Sequence, residues 1–86
     1  MFLISIATAL EGVRQGIILV DALVKTIRAG RSKVTEDGLP TGEEYTAERI
    51  ETLGKQVLSH RDSTATSLIS DILAQDRETR ARESRG

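Results

Sequence analysis

Residues 2–27, Phe-Leu-Ile-Ser-Ile-Ala-Thr-Ala-Leu-Glu-Gly-Val-Arg-Gln-Gly-Ile-Ile-Leu-Val-Asp-Ala-Leu-Val-Lys-Thr-Ile, decide how this chain is read. Within them Leu3, Ile6, Leu10, Val13, Ile17, Val20, Val24 and Ile27 succeed one another at spacings of 3, 4, 3, 4, 3, 4 and 3. That alternation is the a/d repeat of a coiled coil, and a stripe of this kind needs a partner surface. Phe2, Ala9, Gly16 and Leu23 form a second row beside it. The pattern predicts one helix over about 2–29, roughly 40 Å long at 1.5 Å per residue. Three residues fit it poorly. Ile4, Ile18 and Leu19 lie off the seam, and Ile17 to Val20 is apolar on every side. Gly12 and Gly16, four apart, read as tolerated glycines or as a place of close helix approach.

Gly30 reads as the left-handed residue that ends this helix, after Lys25 and Arg28 in its last turn. Residues 30–41 read as a loop with a turn at Asp37-Gly38. Thr41-Gly-Glu-Glu44 has the spacing of a capping box, so a second helix is expected over about 42–74. Its inward stripe is Tyr45, Ile50, Leu53 and Val57, with Leu68, Ile69, Ile72 and Leu73 as a final apolar patch. The polar stretch Ser59 to Ser67 reads as a waist in that helix, with a break near residue 62 and a third helix as the variant. Residues 75–86 carry Asp76–Arg80 and Glu78–Arg82 at i,i+4 spacing and read as a charged, frayed helical tail.

The expected fold is therefore all-α: a long antiparallel, coiled-coil-like hairpin in one helical domain, residues 1–74, followed by the tail. Charge supports that pairing. Residues 1–35 sum to +3 and residues 36–62 to −4, which sets a basic helix end beside an acidic helix start.

Composition narrows the function. The chain has 86 residues, net charge −1, no Cys, one His and two aromatic residues, Phe2 and Tyr45. A chain this short has little core and gains stability from tight helix packing or from oligomerisation. The charge is not that of a nucleic-acid binder, and the aromatic count is too low for base stacking. No cofactor or metal site is expected. His60 stands without a placed nucleophile, and no catalytic constellation is present, so the chain reads as a non-enzyme. No run reaches the ~20 apolar residues of a membrane span. The start lacks the basic leader of a signal peptide.

The seam residues Leu3, Ile6, Leu10, Val13, Ile17, Val20, Val24 and Ile27 are the expected interface, with further copies of the chain or a larger protein assembly as partner. The alternative is a peripheral membrane or envelope accessory protein, with Phe2, Ile4, Ile17, Ile18 and Leu19 in the lipid interface.

The layout resembles small helical structural and accessory proteins of tailed bacteriophages. The matching parts are the apolar helix Leu3 to Ile27, the basic end Arg28 to Lys33, Pro40-Thr-Gly-Glu-Glu-Tyr45, and the charged helix Ala47 to Val57. The resemblance implies a structural or accessory part of a virion, placed in the particle or the host cytoplasm, and transfers no catalytic residue.

Overall fold

Two glycines and a serine divide the N-terminal stretch into shorter elements. In a computed structural model describing residues 2–85, the chain runs β1 (Phe2–Ser5), α1 (Ile6–Arg14), α2 (Val20–Arg28), β2 (Ser32–Thr35), α3 (Ala47–Ser59) and α4 (Leu68–Arg85). This α+β arrangement replaces the all-α hairpin expected from the a/d repeat.

The cause is local. Ser5 is the N-cap of α1, and its hydroxyl accepts from the Thr8 N–H at 3.2 Å, so Phe2 to Ser5 lie outside the helix. Gly16, at φ 77°, ends α1. The Gly16 N–H donates to the Val13 carbonyl (3.1 Å) and the Ile17 N–H to that of Gly12 (2.9 Å). Gly30, at φ 74°, ends α2 through the same pair of bonds, Gly30 to Ile27 and Arg31 to Thr26. Both are Schellman stops. An unbroken helix would expose one side of its apolar surface, whereas the break at Gly16 lets both halves turn their stripes onto α3, with α4 closing over α1.

The crossover through α1 and α2 returns the chain in parallel, as a parallel pair requires. Phe2 pairs with Ser32, Leu3 with Lys33, Ile4 with Val34 and Ser5 with Thr35. Beyond β2, residues 36–42 fold back around Asp37, whose carboxylate accepts the Leu39 N–H at 3.0 Å. A short antiparallel return follows, with the Glu36 N–H donating to Glu43 (2.9 Å) and the Tyr45 N–H to Val34 (2.8 Å). The expected loop 30–41 therefore contains a strand. The Thr41 capping box does not form, because Glu43 to Tyr45 are extended against β2. The helix starts later, with Thr46 as N-cap accepting the Arg49 N–H at 3.2 Å.

The second expected helix is divided as well. α3 stops at Ser59, inside the polar waist, and α4 resumes at Leu68. The Ser63 carbonyl accepts from the Arg14 guanidinium at 3.0 Å, which holds this connection against α1. Residues 75–85, expected as a frayed tail, continue α4 as helix.

Ile6, Leu10, Val13, Val20, Leu23 and Val24 meet Tyr45, Ile50, Leu53 and Val57, with Ile69, Ile72 and Leu73 closing the core. Gly54 sits where α3 crosses the start of α2. A Cβ there would lie 2.7 Å from the Val20 Cγ2.

Candidate docking site

The a/d residues separate into two groups in the fold. Ile6, Leu10, Val13, Val20 and Val24 are buried in the chain's own core, and Ile27 packs half-buried against it. These positions cannot face a partner while the chain is folded. Leu3 is 40% exposed and Ile17 75%. Phe2 at 76% and Leu19 at 71% join them as large apolar side chains left in water.

Their placement follows from the turn at residues 15–19. The Gly12 carbonyl accepts both the Ile17 and the Ile18 N–H, at 2.9 and 3.1 Å. The chain is thereby folded back over α1. The Ile18 side chain then lies on Gly12, where a Cβ would come within 2.4 Å of Ile18 Cδ1. Ile18 points inward as an anchor, and its neighbours Ile17 and Leu19 are turned out. Ile17 and Ile18 form a ridge between two shallow grooves. One, about 390 Å³, is lined by Ile4, Leu19, Ala22, Leu23 and Thr26 beside the ridge. The other, about 600 Å³, runs between Ala7, Glu11 and Gly12 of α1 and Ile69 of α4. Phe2 shares Ile4's face of β1, because strand side chains alternate. An apolar lip thus runs from the β1 edge to the α1–α2 turn. Contiguous exposed apolar surface of this kind marks interaction sites.

The off-seam residues Ile4, Ile18 and Leu19, together with Gly12 and Gly16, are the sequence signal for this lip. Phe2 and Leu19 were absent from the expected interface because neither falls on the a/d row.

The opposite side of the molecule is charged and internally paired. Arg49 lies 4.0 Å above the Tyr45 ring, bonds Asp76 at 2.9 Å and reaches Glu43 at 3.7 Å. Arg80 also bonds Glu43, and Arg77 bonds Glu36 at 2.8 Å. These contacts clamp α4 to the 36–45 return. The basic end of α2 does lie beside the acidic start of α3, as Arg28–Glu48 at 3.8 Å, and Lys33 of β2 lies 3.4 Å from Glu44 of the return. Both pairs are exposed and add little stability.

The Arg80 guanidinium, hydrogen-bonded to Glu43, holds that carboxyl below the ordinary carboxylate range, against a smaller opposing effect of burial. A carboxyl whose folded pKa is depressed supports the fold above its unfolded pKa, and the support is lost as pH falls through the folded value. Acid is therefore expected to loosen α4. Between about pH 7 and about pH 3, Tm should fall less for Glu43→Gln than for the unaltered chain. Equal falls in thermal melts would remove Glu43 from the acid response.

Among the described residues, no group of three or more His, Cys, Asp or Glu is arranged to hold a metal ion. No helix there is long and apolar enough to cross a membrane. His60 is exposed at the end of α3. No family model matches the chain, and neither a curated protein nor a solved structure does.

Proposed function

We propose that this chain is a non-enzymatic assembly protein that binds copies of itself or a larger protein through the apolar lip. The observation that supports this most is the joint exposure of Ile17 and Leu19 on the Ile4 groove, with Phe2 exposed on the same face of β1 as Ile4. Three large apolar side chains in water are a standing cost to an isolated chain, and a partner relieves it. The resemblance of the residue pattern to small phage structural and accessory proteins, without the unbroken helix from Leu3 to Ile27, gives the setting of this reading, a virion component made in the host cytoplasm.

The test is solution mass by light scattering over a concentration series in detergent-free buffer, with the double variant Ile17→Asp/Leu19→Asp beside the unaltered chain. The unaltered chain is expected above its monomer mass of 9.4 kDa. The variant is expected at the monomer mass with unchanged helicity, because both positions are exposed and an exposed substitution shifts stability by only about 0.5 kcal/mol. A mass of one chain at every concentration overturns self-association, and an assembly that the double variant leaves unaltered overturns the role of the lip. Capture by lipid vesicles in place of self-association moves the lip to a membrane surface.

A further inference from the structure

We propose that the partner is a second copy of this chain, added edge to edge at β1, so that the two small sheets become one. The proposal rests on the docking role of the lip and names its occupant and its geometry. It begins with the hydrogen bonds. The Phe2 N–H donates to the Arg31 carbonyl at 3.0 Å, so Phe2 faces β2. In a parallel ladder, alternate residues face the same neighbour, so Ile4 also faces β2 while Leu3 turns its N–H and C=O the other way. Neither group of Leu3 has a backbone partner elsewhere among the described residues. An open strand edge takes another extended strand.

The two edges of the sheet are unlike. At the far side, the return at residues 43–45 carries Glu43 and Glu44 with their partners Arg80 and Lys33, charged side chains of the kind that guard an edge. At the near side, Phe2-Leu-Ile4 has no charge, no proline and no bulge, the devices that guard an edge, and only its Ser5 end is covered, by Gly38. Nothing in β1 repels a second β1.

The sequence of β1 is also self-complementary. A two-fold axis through Leu3 makes the two strands antiparallel, with each Leu3 N–H donating to the Leu3 carbonyl of the other copy. Phe2 of each copy then lies opposite Ile4 of the other on the helix-bearing face, and the two Leu3 side chains meet on the opposite face. Aromatic–β-branched cross-strand pairs of this type stabilise sheets. The same axis brings the two lips together. At roughly 200 Å² per large apolar residue, the exposed parts of Phe2, Leu3, Ile17 and Leu19 offer roughly 500 Å² per copy, or about 1,000 Å² in a pair. Complete burial of these side chains would reach the threshold of about 1,000 Å² for a specific interface. Pairing consumes the open edge in both copies, so the assembly closes at two.

Two measurements test it. The first is amide hydrogen exchange at Leu3 in the unaltered chain, above and below the association concentration. The second is solution mass for Leu3→Pro, which removes the outward N–H, with Leu3→Val as the control that keeps it. The expected results are a mass of two chains, a Leu3 amide protected only in the associated state, a one-chain mass for Leu3→Pro with unchanged helicity, and a two-chain mass for Leu3→Val. Free exchange at Leu3 in the associated state, or a Leu3→Pro variant that still pairs, overturns edge addition. If Ile17→Asp/Leu19→Asp still dissolves that assembly, the docking role of the lip stands. Growth past two copies overturns the two-fold closure. A single-chain mass throughout overturns the second copy as occupant, while a larger protein remains the partner of the lip.

Discussion

Val13→Asp is expected to unfold the chain, and Ile17→Asp to leave it folded. The two residues are consecutive members of one a/d row, and the fold sends them to opposite environments. Val13 is 2% exposed in the core between α1 and the other helices, and Ile17 is 75% exposed on the turn. An unpaired carboxylate at Val13 costs several kcal/mol through lost solvation. A chain of this length has a total stability of only roughly 4 to 13 kcal/mol. At Ile17 the same carboxylate stays in water, and the change is about 0.5 kcal/mol. Urea titrations followed by far-UV circular dichroism separate the two. Equal behaviour of the variants would restore the continuous helical seam.

Tyr45→Ala is expected to be the costliest truncation of a single side chain, at about 3 to 5 kcal/mol. Tyr45 is the largest fully buried side chain, 1% exposed, and sits where the 43–45 return meets α3. Its ring lies beneath Arg49, so truncation removes core packing and the face under that cation together. Burial pushes the phenol's pKa up, so the hydroxyl stays neutral beyond its ordinary range. Tyr45→Phe keeps the ring and is expected to cost about 1 kcal/mol or less. Denaturant midpoints for the two variants give the comparison. An Ala variant as stable as the Phe variant would remove Tyr45 from the core.

Much of the core is legible in the sequence, although its partners are not. The row from Ile6 to Val24 marks burial at five of its positions, because a 3-4 rhythm reports which side of a helix avoids water. It does not report whether the helix is continuous. Gly16 resets the chain after α1, and Val20 resumes the row in α2, so the rhythm crosses the break without a missing beat. Gly30 is legible as a stop because a basic last turn precedes it. The matching stop at Gly16 is masked by the apolar run that follows. β1 is hidden for the same reason, since Phe2 to Ser5 continue the helical stripe and only the Ser5 cap excludes them. The Thr41-Gly-Glu-Glu44 spacing is a sound capping box by local chemistry and loses to tertiary pairing with β2. Of the candidate site, Leu3 and Ile17 are legible on the row. Phe2 and Leu19 are exposed by the break, which the row cannot report.

The register of Phe2 with Ser32 also sets an order of folding. α1 and α2 are nine residues each, below the length at which an isolated helix persists in water. They hold only once α3 and α4 have covered them. The strand pair must in addition close a long loop against chain entropy before any ladder bond rewards it. β1, held by one short ladder, is therefore expected among the first elements to open. While β1 is open, Phe-Leu-Ile is free to find the same segment on another chain. Crowding at synthesis would then decide whether copies meet as finished domains or while still incomplete.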